Sequence, residues 1–102
     1  MIRHIVMFKL KETNGMTVQQ NAAEAKKRAD TLPSKVPSLK AFECVVGAEF
    51  ADKTNYDVAL ICDFEDEKGL DEYQNHPDHK AFGKFIATIR ADCGRACIDY
   101  IV

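Results

Sequence analysis

The residues with the most chemistry in them lie together in Tyr73-Gln74-Asn75-His76-Pro77-Asp78-His79. Two histidines and a tyrosine flank one proline. Proline disfavours helical geometry in the residue before it, so the segment reads as a break between two helices. His79, Phe82 and Ile86 follow at spacings of three and four, which places them in one helical stripe. An imidazole on an apolar face titrates near neutrality and can accept a proton at physiological pH. Tyr73 supplies a phenol that can donate to a substrate oxygen gaining negative charge. The expected site therefore takes His79 as base and Tyr73 as its hydrogen-bonding partner. Its walls are expected from His4, Val6, Phe8, Val58, Leu60, Phe82 and Ile86. The same spacing also suits a packed interior, in which His79 is a core histidine, Tyr73 fills space and His76 caps the break.

Other chemistries find less support. His76 and His79 are three apart and His4 could join them, but no fixed carboxylate or thiolate completes a ligand set, so no metal is expected. Cys44 and Cys62 fall in apolar strands, where a thiol is hard to ionise and makes a poor nucleophile. The four cysteines form no C-x-x-C pair. All four are expected to be reduced, with Cys93 and Cys97, beside an apparent helix end, the pair to watch for oxidation. No glycine-rich phosphate loop is present, and no cofactor is expected.

The elements that must position these residues follow from periodicity. Ile2, His4, Val6, Phe8 and Leu10 alternate with Arg3, Ile5, Met7 and Lys9, the period of a strand. Ile5 and Met7 make the second face apolar too, so this strand must be covered on both sides. Thr17 and Gln20 have the spacing of a capping box, and Val18, Ala22, Ala25, Ala29 and Leu32 then form a helical stripe of small residues. Pro33 is expected to end that helix. A strand over residues 42–46 and a polar turn over 51–55 follow. The clearest strand, residues 56–64, puts Val58, Leu60, Cys62 and Phe64 on one face. Asp66 is placed to cap a short helix carrying Leu70 and Tyr73. Pro77 suits the first turn of the next helix, which Gly94 is expected to close before a last strand over 96–102.

The order β-α-β-β-α-β is the ferredoxin-like arrangement, an α+β fold with a four-stranded antiparallel sheet and helices on one face. One domain over residues 1–102 is expected at this length, since 46% apolar and 29% charged residues are ordinary globular proportions. Fourteen basic against 16 acidic residues leave a net charge of −2, which gives a nucleic-acid partner no electrostatic footprint. No stretch approaches the about 18 apolar residues of a membrane helix, and the opening carries charge on both sides of a short apolar run. A cytoplasmic address is expected, with no membrane partner.

The opening Ile2-Arg3-His4-Ile5-Val6-Met7-Phe8-Lys9-Leu10, then Tyr56-Asp57-Val58-Ala59-Leu60, Tyr73-x-x-His76-Pro77-x-His79 and the terminal Asp99-Tyr100 resemble the stress-responsive A/B barrel (Dabb) family. The resemblance runs essentially from the first strand to the last. It implies a homodimer whose two sheets pack face to face as a dimeric α+β barrel, which would cover the second apolar face of the first strand. A plant branch of the family cyclises polyketides, with the second histidine of the HPxH element as base and the preceding tyrosine as partner. By position these are His79 and Tyr73, with His4 lining the pocket. The wider superfamily holds monooxygenases, isomerases and decarboxylases, so the resemblance implies a small organic ligand and cofactor-independent acid/base chemistry of cyclase, lyase or isomerase type. A cofactor-free monooxygenase and a non-catalytic stress or ligand-binding protein are the alternatives.

Overall fold

A computed structural model describes residues 1–102. Strand β1 (Ile2–Leu10) is followed by helix α1 (Val18–Ala29), the short helix α2 (Leu32–Lys35) and strands β2 (Ala41–Val46) and β3 (Val58–Phe64). Helices α3 (Glu67–Asn75) and α4 (Pro77–Ile89) then lead to strand β4 (Arg90–Ile101). The sheet order is β2-β3-β1-β4, antiparallel throughout. This is the expected α+β, ferredoxin-like arrangement.

Burial alternates residue by residue along β1 and β3, as the period-2 pattern requires. Val6, Phe8, Leu10, Val58, Leu60, Cys62 and Phe64 enter the core beneath the helices. Each fully buried Leu or Phe contributes about 1.5–3 kcal/mol relative to remaining exposed. Ala22, Ala25 and Ala29 are buried on α1, and their small side chains let the helix sit close to the sheet. The capping box is formed: Gln20 N–H donates to Thr17 Oγ1 at 3.1 Å, and Thr17 N–H donates to Gln20 Oε1 at 2.8 Å.

Two helix ends depart from the sequence expectation. α1 stops at Ala29, where the Asp30 and Thr31 N–H groups turn back onto the Lys26 and Arg28 carbonyls. Pro33 does not end it. Instead Pro33 occupies the first turn of α2, a position whose N–H would have no helical partner.

The second departure concerns Gly94, which does not close α4. That helix ends at Ile89 and β4 begins at once with Arg90, so Cys93 and Cys97 both lie on a strand. Along β4, Arg90 pairs with Leu10 while Arg95 pairs with Phe8, so the extra residues bulge out of the ladder. Cys93 takes a positive φ of 58° within this bulge. A Cβ on Gly94 would stand 2.6 Å from the Lys9 carbonyl oxygen and 2.7 Å from that of Ala91. Glycine is needed for close backbone approach, not for a helix cap.

The outer face of the sheet carries Ile5 and Met7 of β1, Ala59 and Ile61 of β3, and Ile98 and Tyr100 of β4, which pair across the ladders. Ile98 is 59% exposed on the chain by itself. Beside these apolar groups the Arg3 guanidinium forms a two-point ion pair with Asp63. No helix of the chain is long and apolar enough to cross a membrane.

Candidate active site

The break at Pro77 is built as a joint. His76 ends α3 and caps α4, with its Nδ1 accepting from the Asp78 N–H at 3.1 Å. Asp66 caps the start of α3 by accepting from the Gly69 N–H at 2.9 Å. The His76 cap holds the joint across which Tyr73 of α3 and His79 of α4 face each other.

The two rings pack with centroids 4.3 Å apart. Tyr73 is fully buried, with Phe64 at 5.1 Å on another side and His4 edge-on at 6.3 Å. Between these rings and the sheet lies a cavity of about 200 Å³. Of the residues expected at its walls, the structure brings together His4, Val6, Phe8, Leu60, Tyr73, His79, Phe82 and Ile86. Val58 is the exception. It pairs with Phe8 at the end of the strand and is packed into the core at 2% exposure, outside the cavity.

The tautomer of His79 follows from its one partner. Its Nδ1 lies 3.3 Å from the Gln74 carbonyl oxygen, which can only accept. The hydrogen is therefore on Nδ1, and Nε2 keeps a free lone pair. Burial lowers the pKa of the ring below its ordinary value of 6.5; the Gln74 carbonyl opposes this, and the charges of His4, Arg95 and His76 add to it. Neutral imidazole, the proton-accepting form, is thus favoured at physiological pH.

Tyr73 is held in the opposite state. Burial raises the pKa of its phenol well above the usual value, and the neighbouring Cys62 thiol adds to the effect. The hydroxyl stays protonated, so its hydrogen remains available to donate. Its one partner is the Cys62 thiol, which donates to Tyr73 Oη at 3.9 Å. Burial also drives the thiols of Cys44 and Cys62 up, to about 11 and about 12. Neither is a nucleophile. All four cysteines are free.

Sequence reasoning missed two groups at this cavity and two that contact its His4 wall. Arg90 and Arg95 reach its wall from β4, and neither guanidinium is ion-paired. Asp99 and Cys97, on the helix-facing side of β4, meet His4: the Asp99 carboxylate hydrogen-bonds His4 Nδ1, and Cys97 Sγ lies 3.4 Å from the same nitrogen. These contacts depend on the β1–β4 register, which places Asp99 opposite His4.

A larger open cleft of about 600 Å³ lies between the 46–57 loop and the start of α1. It has no histidine or cysteine in its walls. Two of its charged groups are engaged, Lys9 by the carbonyls of Lys53 and Asn55 and Asp57 by the Leu10 N–H. His4, His79 and Tyr73 line the smaller cavity.

Residues 2–102 match the family model for the stress responsive A/B barrel domain. The chain belongs to the Dabb family. Among solved structures, this Dabb chain is similar to a dimeric ferredoxin-like protein of unknown function from Thermobifida fusca, at 31% identity and a TM-score of 0.81. That match covers 99% of this chain and 90% of the other. A dimeric protein of unknown function from Bacteroides fragilis, also ferredoxin-like, is 26% identical with a TM-score of 0.84, over 99% and 95% of the two chains. The hydroxynitrile lyase of Passiflora edulis shares the fold at 17% identity and a TM-score of 0.74, over 99% and 92%. No curated protein matches the Dabb chain.

Proposed function

We propose that this Dabb protein binds a small carbonyl compound in the cavity between sheet and helices and moves a proton on it without a cofactor. The observation that carries the reading is the His79 ring. Its Nδ1–H is committed to the Gln74 carbonyl, its Nε2 is free, and burial favours the neutral form. A base of this kind can take a proton from the carbon next to a carbonyl group, because the resulting enolate needs only hydrogen-bond donors nearby. Tyr73 is the neutral donor, and Arg90 and Arg95 give the wall positive charge where the enolate oxygen would lie. The apolar wall of Val6, Phe8, Leu60, Phe82 and Ile86 takes the hydrocarbon part of the ligand. Isomerases and aldol-type cyclases share this proton-transfer step.

The working form we propose is a homodimer. The apolar outer face of Ile5, Met7, Ala59, Ile61, Ile98 and Tyr100 favours a sheet-to-sheet pair about a two-fold axis. The solved relatives from Thermobifida fusca and Bacteroides fragilis are described as dimeric.

The test is proton exchange. A panel of small ketones and 1,3-dicarbonyl compounds is incubated with the protein in deuterated water, and loss of the α-proton signal is followed by NMR. Exchange above the buffer rate that disappears in His79→Ala supports the reading. Ligand binding seen by thermal shift without any exchange would leave a non-catalytic binding protein.

A further inference from the structure

We propose that His4, Cys97 and Asp99 form a binding site for a zinc-class divalent cation beside the cavity, sharing with it only His4, and independent of the proton-transfer reading. One ligand atom from each of these side chains lies within 4.8 Å of the others. Cys97 Sγ is 3.4 Å from His4 Nδ1 and 3.9 Å from Asp99 Oδ1, and Asp99 Oδ1 hydrogen-bonds the same Nδ1. Zinc bonds nitrogen and carboxylate oxygen at about 2.0–2.2 Å and sulfur at about 2.3 Å, so tetrahedral ligation sets sulfur about 3.6 Å from either. Both sulfur separations lie close to that spacing. Only the His4–Asp99 pair must open, with the cation taking the place of the proton between them, and the Asp99 side chain is 44% exposed and free to turn.

The sheet explains how three residues so far apart in sequence meet. Asp99 lies directly across the ladder from His4, and Cys97 is the next inward-facing residue on β4. The three therefore project from one face of two adjacent strands. His4 is buried at 3% exposure, which fixes the imidazole, while the two β4 ligands remain open to an arriving ion. The donor set itself selects the metal. A thiolate, an imidazole and a carboxylate suit zinc, whereas magnesium and calcium take oxygen ligands. Three protein ligands leave a fourth position for water or a small molecule.

Binding has a consequence for the cavity. Without metal, His4 carries its hydrogen on Nδ1, toward the Asp99 carboxylate. With metal on Nδ1, the hydrogen must sit on Nε2. The cation thus sets which nitrogen of a cavity-lining imidazole carries the proton.

Full-length protein is stripped with chelator in a non-thiol reductant and titrated with Zn²⁺ against a chromophoric competitor, and Co²⁺ is added separately as a spectroscopic probe. The expected result is one Zn²⁺ per chain and a thiolate-to-cobalt charge-transfer band that Cys97→Ser removes. Disturbing groups behind a ligand already costs about 10–100-fold in metal affinity, so Asp99→Asn and Cys97→Ser should each cost at least about that much. Cys93→Ser, a thiol outside the cluster, should bind as the parent does. Circular dichroism verifies that each variant is folded, and Asp99→Asn decides the matter if Cys97→Ser is not. Failure to bind Zn²⁺, a cobalt spectrum without the thiolate band, equal affinity for Mg²⁺, or undiminished binding by folded Asp99→Asn would each overturn the proposal.

Discussion

His79 and Tyr73 pack ring against ring, with centroids 4.3 Å apart and planes inclined by 48°. The contact joins a residue on α4 to one on α3 across the Pro77 joint. It gives the base an apolar flank, and burial keeps the two groups in complementary states, a neutral imidazole and a protonated phenol.

If the proposed function holds, removing His79 should end turnover without unfolding the chain. His79 is only partly buried and its one hydrogen bond is to an exposed carbonyl, so His79→Ala leaves no unsatisfied core group. Loss of a well-placed general base costs about 10²–10⁴-fold in rate. Exchange kinetics on the wild type and the variant, with circular dichroism as the folding control, measure this. A variant that keeps full activity per folded chain would place the base elsewhere.

The low His79 pKa should also appear in stability. As pH falls below the ordinary value of 6.5, the unfolded chain gains a proton on this imidazole before the folded chain does. The unfolded state then binds more protons, so stability rises with pH in this window. It is complete above 6.5 and is lost as pH falls toward and through the lowered native value. The groups facing His79 are His4 on β1, Arg95 on β4 and His76 at the joint, all of which disfavour its protonation. Urea midpoints measured across this range should fall less steeply for His79→Gln than for the wild type. Identical slopes would mean that His79 does not contribute.

Sedimentation should give twice the 11.5 kDa chain mass at micromolar concentration. Placing a charge in the middle of the outer face, as in Ile61→Lys, should yield a monomer, because a lysine there would be buried against the partner sheet without a counter-charge. A wild type that sediments as a monomer would refute the face-to-face pair.

Gly94→Ala should be among the most damaging single-methyl additions. Its Cβ would meet two backbone oxygens, at 2.6 and 2.7 Å, and neither is a flexible side-chain tip. Overpacking of this kind costs about 1–3 kcal/mol. The denaturation midpoint should drop with the slope unchanged. A neutral effect would mean that the bulge relaxes freely.

Much of the architecture could be read from local pattern. Alternation along Ile2–Leu10 and Val58–Phe64 assigned the buried face of each strand, because side chains on a pleated strand point to opposite sides in turn. Thr17 with Gln20, and Asp66 before α3, marked helix starts, since free backbone donors there call for a nearby oxygen. Pro77 marked the joint. From these signals the neighbourhood of Tyr73 and His79 was already visible, and so were most of the apolar walls around them.

What only the tertiary structure decided depends on register and on distant backbone. The sequence pattern ran the first helix on to Pro33, whereas the chain turns at Asp30 and Thr31 and uses Pro33 to start α2. Gly94 looks like a helix terminator in sequence, yet its role comes from the Lys9 carbonyl, a neighbour supplied by another strand. Arg90 and Arg95 reach the cavity, and Cys97 and Asp99 reach His4, through the pairing of β4 with β1 on either side of the bulge. Ladder alignment is set jointly by both strands and the core beneath them, so the meeting of His4 with Asp99, 95 residues away, has no signature in either segment alone.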